Sequence, residues 1–144
     1  MIEMTTRHPP LTVRVYGQWE IQTIEPPEGR FIIVSITTTG RRADRVDLSH
    51  LGLAPVLRLA FSVGELRREQ AVSFWEFINE HLNSTDFVLL HCAAGAVRSP
   101  ALGSALVVAL GGDDSIAWEE CEPDRKAYDL LTQTMPKSGL PRLP

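Results

Sequence analysis

The sequence predicts an α/β fold with a central, mostly parallel sheet of four or five strands flanked by helices. Two patterns favour this class. Short apolar and β-branched runs typical of buried strands recur along the chain, and segments with apolar residues at helical spacing lie between and after them. Because buried strands joined through helices need crossover connections, we expect most of the strands to run parallel.

Four segments are predicted to be strands. The first alternates apolar and polar residues, and the second is a nearly continuous β-branched run that follows a turn rich in proline and glycine. The third and fourth are short apolar runs. In chain order the strands are predicted at residues 11–16, 31–36, 56–61 and 87–90.

Helical periodicity is clearest between the third and fourth strands. Apolar residues recur there at positions 71, 74, 75, 78 and 82, which predicts a crossover helix over residues 65–82. A glycine pair ends a second apolar segment after the fourth strand. The remaining helices are predicted at residues 100–110, 114–120 and 125–135.

Length and composition predict one ordered domain. The 144 residues are 44% apolar, which is enough for one core, expected over about residues 11–135 with a tail at 136–144. The formal net charge of -4 argues against general nucleic-acid binding. Because the sequence shows neither an apolar leader nor a run long enough to cross a membrane, we expect a cytoplasmic protein that does not bind membranes. The spacing of His8, His50 and His81 indicates no metal site.

Residues 91–99 carry the strongest functional signal, and they read His-Cys-Ala-Ala-Gly-Ala-Val-Arg-Ser. Cys92 falls between the fourth strand and the helix after it, with Ser99 and Pro100 expected as the N-cap and first residue of that helix. Backbone N–H groups at a helix N-terminus bind anions, and a thiol there is favoured as thiolate. The guanidinium of Arg98 matches two phosphate oxygens, and Gly95 permits a tight backbone path. This pattern predicts a cysteine nucleophile in a loop that binds a phosphate or sulfate ion.

In this register, His-Cys-x-x-Gly-x-x-Arg-Ser resembles the signature of protein tyrosine phosphatases and dual-specificity phosphatases, including small bacterial and phage-type members. The resemblance covers residues 86–112 closely and about 31–135 more loosely, and it implies a fold of the phosphotyrosine phosphatase II type. It implies that Cys92 forms a phosphocysteine, that Arg98 binds the phosphate and its transition state, and that no cofactor or metal takes part. His91 would tune the thiolate, and the Ser99 hydroxyl would stabilise it as a leaving group. The phosphate-binding loop would comprise Ala93, Ala94, Gly95, Ala96, Val97 and Arg98.

The resemblance implies hydrolysis of phosphomonoesters, with a phosphorylated protein or a small phosphomonoester as substrate and tyrosine phosphate favoured. One part of the family pattern is missing. Related phosphatases carry an aspartate general acid after the third strand, but this chain has no aspartate between Asp47 and Asp86. Ser62 or Val63 stands in its place. Glu65 is the candidate substitute, although it could instead complete a capping box with Ser62.

Other features leave alternatives open. Arg41, Arg42 and Arg45 follow the second strand and could steer a phosphorylated substrate or simply face solvent. The missing aspartate also fits a phosphate-binding module that turns over poorly. Thiol chemistry of the rhodanese or arsenate-reductase type is a further alternative. It finds little support in Cys121, which is expected to be inert because carboxylates surround it.

Overall fold

The structure is a computed structural model that describes residues 1–40 and 46–136. Its centre is a five-stranded sheet with strand order β1-β2-β5-β3-β4. β1 runs antiparallel to β2, and every other neighbouring pair is parallel. The predicted class, a mostly parallel sheet flanked by helices, is therefore confirmed. The strands are β1 (Ile2–Thr5), β2 (Thr12–Tyr16), β3 (Phe31–Thr37), β4 (Val56–Ala60) and β5 (Phe87–His91).

β5 is the central strand, and its register with β2 and β3 sets the position of the residues that follow His91. Tyr16 of β2 pairs with His91 of β5, and Ser35 of β3 pairs with the same histidine from the other side. The carboxyl ends of three parallel strands therefore lie level at one edge of the sheet. In sheets of this kind, ligands bind beyond that edge.

Helices cover both faces of the sheet. Val88 and Leu90 of β5 pack into the larger apolar cluster with α2, α3, α4 and α5, whereas Leu89 packs into a smaller cluster with α1 and residues 46–51. This alternation is what a strand buried on both faces requires. The helices are α1 (Gln18–Ile21), α2 (Arg68–His81), α3 (Arg98–Ala109), α4 (Ser115–Glu120) and α5 (Arg125–Thr134), with short 3-10 turns at Ser49–Leu51 and Leu82–Ser84.

The four predicted strands are present, whereas β1 and α1 were not predicted and some predicted element ends differ. β1 was not predicted, because only Met4 of its four residues is buried and the segment has no clear alternation. α2 begins at Arg68 instead of residue 65, with the Gln70 Oε1 atom accepting the Arg67 N–H at 2.9 Å. The capping box of Ser62 and Glu65 is therefore wrong, since these residues form a turn in which Glu65 N–H donates to Ser62 O at 3.0 Å.

The start of α3 also differs from the prediction. Val97 is the N-cap residue and Arg98 opens the helix, so the prediction that Ser99 is the N-cap is wrong. The reason is chemical, because the Ser99 hydroxyl contacts the sulfur of Cys92 instead of a backbone amide of its own helix. No helix in the described part of the chain is long and apolar enough to cross a membrane.

Candidate active site

Cys92 is the first residue after β5 and is only 2% exposed. Its Sγ lies 3.0 Å from Ser99 Oγ, and the Ser99 N–H donates to the same sulfur at 3.4 Å. Ser99 is the second residue of α3, so the sulfur sits against the amino end of this twelve-residue helix. The sulfur thus has a backbone N–H donor and a hydroxyl within hydrogen-bond distance at the start of the helix.

Three carbonyl groups of residues 92–97, which we call the cysteine loop, accept hydrogen bonds from surrounding backbone amides. Ala93 O accepts the Gln18 N–H at 2.9 Å, Ala96 O accepts the Glu122 N–H at 3.0 Å, and Val97 O accepts the Asp124 N–H at 2.8 Å. The N–H groups of residues 93–97 donate to no acceptor within the described ranges. Successive backbone amides with no acceptor of their own can donate together to an anion.

Gly95 gives the cysteine loop its shape. Its φ is +72°, and a Cβ atom there would lie 2.6 Å from Gly17 N and 2.7 Å from the carbonyl carbon of Tyr16. No side chain can occupy that space unless the backbone moves. Gly17 is similarly confined, because a Cβ on it would lie 3.0 Å from Ala94 O. The end of β2 and the cysteine loop therefore meet backbone to backbone.

Arg98 is held by two neutral oxygen acceptors. Its Nη1 donates to Phe61 O at 2.8 Å and to Thr38 Oγ1 at 3.1 Å, and the residue is only 6% exposed. These two contacts occupy one corner of the guanidinium and leave its Nε and Nη2 edge for a ligand. That edge offers two parallel donors, which match two oxygens of a phosphate. Because neither acceptor is a carboxylate, the positive charge is not neutralised by an ion pair at these contacts.

His91 is fully buried at the end of β5. Its Nε2 lies 2.7 Å from Ser35 Oγ, which also accepts a hydrogen bond from Arg58 Nη1 at 3.4 Å. Burial, aided by the positive charges of Arg58 and Arg98, lowers the pKa of His91 from its usual 6.5 to about 4. The imidazole is therefore neutral at neutral pH, and it links β5 to β3 directly behind Cys92.

Residues 61–65, which we call the 61–65 loop, follow β4, where the sequence resemblance implies a general acid. It touches the site through Phe61 O, which holds Arg98, whereas Glu65 is exposed and its carboxyl group enters no ion pair among the residues described. Ser62 is half-buried and Val63 is 59% exposed. The loop thus reaches the site through its backbone, and the Glu65 carboxyl group makes no hydrogen bond or ion pair with the residues described that would fix it there. Arg41, Arg42 and Arg45 lie outside the described residues.

Cys121 is the second free cysteine and lies outside the cysteine loop, with Sγ 3.9 Å from Gly95 O. Burial raises the pKa of its thiol, and the charge of Glu120 adds to that effect. Cys121 is therefore less nucleophilic than an ordinary thiol at neutral pH. Within residues 1–40 and 46–136, no three His, Cys, Asp or Glu side chains are grouped so that they could hold a metal ion.

Three residues near the site were not singled out from the sequence: Ser35, Thr38 and Asp124. Ser35 and Thr38 belong to β3 and the residues just after it, and they reach His91 and Arg98 because β3 lies beside β5. Asp124 directly precedes α5, which is a recognisable N-cap signal. Its contacts with the cysteine loop and the 61–65 loop depend on tertiary structure and leave no local signal.

The fold is similar to that of solved structures, whereas comparisons of the sequence with family models and curated proteins find no match. Among the solved structures with a similar fold is the crystal structure of Tk-PTP in the active form, with a TM-score of 0.58 and 17% identity. The alignment covers 91% of this chain and 95% of that one. The chain therefore has a fold like that of a protein tyrosine phosphatase, and at this identity the similarity concerns the fold alone.

Replacing Gly95 tests whether the close approach of the two backbones builds the anion site. Gly95→Ala should weaken binding of inorganic phosphate by on the order of 10-fold or more, because displacing the loop misaligns amides that donate to a charged ligand. Titration calorimetry measures this. Gly52→Ala is the matched control, since Gly52 has a φ of +75° but no atom within 4 Å of the added Cβ. Equal losses of affinity in both variants would show that the close approach is irrelevant.

The buried neutral His91 predicts a pH dependence of folding stability. Between pH 6.5 and about 4 the unfolded chain gains a proton on this ring that the folded chain does not, so the free energy of unfolding falls as pH falls. The contribution over that window is about 3 kcal/mol. Urea denaturation of the wild type and His91→Asn at several pH values should show a smaller decline in the variant. His8→Asn, at an exposed histidine, is the control, and an identical decline in all three proteins would contradict the assignment.

Proposed function

We propose that this chain is a cysteine-dependent phosphomonoester hydrolase that works through a phosphocysteine intermediate. The observation that carries the proposal is the arrangement around Cys92. Its sulfur lies against the amino end of α3 and opens a loop whose five following amides are free, and Arg98 follows that loop with one guanidinium edge available. A nucleophile beside an anion cradle is what phosphoryl transfer to an enzyme requires.

The first step is attack on phosphorus. The Cys92 thiolate forms a P–S bond while the bond from phosphorus to the ester oxygen breaks, and the electron pair of that bond leaves with the oxygen. Negative charge spreads over the three remaining phosphoryl oxygens in the transition state. The amides of residues 93–97 and the free edge of Arg98 donate to those oxygens, so they bind the transition state more tightly than the ground state.

The second step is hydrolysis of the phosphocysteine. Water attacks phosphorus, the P–S bond breaks, and the electron pair returns to sulfur as thiolate. Ser99 Oγ, 3.0 Å from Cys92 Sγ, is placed to donate a hydrogen bond to the departing thiolate. Inorganic phosphate is then released. Cys92, Arg98 and Ser99 act directly in this scheme, and His91 fixes the strand end that carries the cysteine.

We take aryl phosphates, with tyrosine phosphate in a protein or a small ester as the favoured case, to be the substrate class. Similarity in fold to Tk-PTP supports this choice. The limited means of protonating the leaving group also supports aryl phosphates as the substrate class. An aryl oxide is a good leaving group and needs little protonation, which suits a 61–65 loop that contains no aspartate.

A phosphate-binding module with little turnover is the second candidate function. The observation that favours it is the composition of the 61–65 loop, Phe-Ser-Val-Gly-Glu, which lacks an aspartate, while the phosphate cradle is complete. Tight binding of a phosphotyrosine peptide without its hydrolysis would select this candidate. Glu65 is the one carboxyl group in the loop and is our candidate proton donor for substrates that need one.

Replacing Cys92 separates chemistry from binding. Cys92→Ser should lower hydrolysis of an aryl phosphate by on the order of 10³-fold or more, because a neutral hydroxyl replaces the thiolate nucleophile. Binding of inorganic phosphate should persist, since the amides and Arg98 remain. Steady-state kinetics and calorimetry measure the two effects, with Cys121→Ser as the matched control at the other free cysteine. Undiminished hydrolysis in Cys92→Ser would remove Cys92 as the nucleophile.

Adding an acid at the place of the missing aspartate tests the proton supply. Ser62→Asp should raise kcat/KM for alkyl phosphates by roughly 10²-fold. Hydrolysis of aryl phosphates should change much less. Ser84→Asp is the control at an exposed serine before β5. If the ratio of alkyl to aryl rates stays the same, the loop already supplies a proton. A loss of the high-pH decline in Glu65→Gln would then assign that proton to Glu65.

A further inference from the structure

Asp124 joins three parts of the structure at one buried position. It is 5% exposed and immediately precedes α5, where its Oδ1 accepts the Ala127 N–H at 3.2 Å. Its other oxygen, Oδ2, accepts the Gly64 N–H at 2.7 Å. Its own backbone N–H donates to Val97 O at 2.8 Å. One residue therefore contacts the amino end of α5, the 61–65 loop and the cysteine loop.

Capping α5 does not explain why this residue is an aspartate. Serine, asparagine and aspartate cap helices about equally well, and a cap uses one acceptor oxygen. The second oxygen has a separate task, because it holds the amide of Gly64 at the shorter of the two distances. Asparagine would turn an NH2 group towards one of these amides, and serine has no second acceptor atom to offer. Only a carboxylate accepts from both.

The loop that Asp124 holds at Gly64 also contacts Arg98. Gly64 lies three residues after Phe61, whose carbonyl oxygen accepts from Arg98 Nη1 at 2.8 Å. Arg98 begins the helix that follows Val97, and Val97 is the residue whose carbonyl Asp124 also holds. Asp124 thus fixes the 61–65 loop and the last residue of the cysteine loop relative to each other, with Arg98 between them.

We propose that Asp124 is a positioning residue for phosphate binding. By holding the 61–65 loop against the cysteine loop, its carboxylate keeps Phe61 O in place, and Phe61 O keeps the free edge of Arg98 turned towards the anion. This role rests on the proposed function, since it concerns the same phosphate site. Asp124 acts through Arg98 and does not itself touch the substrate.

The test compares three variants by phosphate affinity and by amide exchange. Asp124→Ser and Asp124→Asn both retain a capping side chain but lose the dual acceptor. Trp75→Phe is the control, because it removes the hydrogen bond from Trp75 Nε1 to Leu131 O (3.0 Å), which holds α5 without contacting either loop. Calorimetry with inorganic phosphate measures affinity, and hydrogen exchange followed by NMR measures protection of the Gly64 amide.

Both Asp124 variants should bind phosphate about 10-fold more weakly, and their Gly64 amide should exchange about 10-fold faster or more. Trp75→Phe should lower stability but leave both quantities unchanged. The proposal is overturned if the Asp124 variants keep wild-type phosphate affinity, or if all three variants lose affinity in proportion to lost stability. If the wild type binds phosphate but hydrolyses no ester, the proposed function fails while these measurements still decide the role of Asp124. A wild type that binds no phosphate would overturn both.

Discussion

The close backbone contact between the end of β2 and the cysteine loop is the constraint on which the site depends. β2 and β5 are parallel neighbours in register, with Tyr16 opposite His91, so the chain leaves both strands at the same level. The cysteine loop then passes so near to Gly17 that Gly95 has no space for a side chain. The hydrogen bond from Gln18 N–H to Ala93 O fixes the same contact. Because the loop is pressed against β2 in this way, its amides are left free for an anion.

Groups from three parts of the structure hold the proposed phosphate site, and almost all of these groups are neutral. The backbone amides of Gln18, Glu122 and Asp124 donate to carbonyls of the cysteine loop. Thr38 and Phe61 accept hydrogen bonds from Arg98. Behind the loop, a neutral His91 joins β5 to Ser35 of β3. None of the acceptors that hold the Arg98 guanidinium is a carboxylate, so those contacts do not neutralise its charge. These contacts suit the binding and nucleophilic attack that we propose, whereas a group that would protonate the leaving oxygen has no comparable support in the 61–65 loop.

Local sequence patterns predict strands β2 to β5 well, but they do not predict which distant segments contact the cysteine loop. Periodicity identifies β2, β3, β4 and β5 because buried strands must be continuously apolar or alternating, and the strand–turn–helix pattern places Cys92 at an anion-binding turn. β1 was not predicted because a strand with one buried residue shows no periodic pattern of apolar residues. The N-cap prediction for Ser99 was wrong because serine is a favoured N-cap residue, whereas here its hydroxyl contacts the sulfur of Cys92. Thr38 and Asp124 reach Arg98 and the cysteine loop only through strand order and the connection between α4 and α5, which local spacing does not encode.

Trapping the phosphorylated enzyme tests the central claim most directly. Ser99→Ala removes the hydroxyl that we propose assists departure of the Cys92 thiolate, so the second step should slow and the intermediate should accumulate. Rapid acid quench of this variant with an aryl phosphate, followed by peptide mass spectrometry, shows where the phosphoryl group resides. The account predicts one phosphoryl group on the sulfur of Cys92, formed in a burst with the aryl product. Turnover with no phosphorylated cysteine, or with the phosphoryl group on another residue, would contradict it.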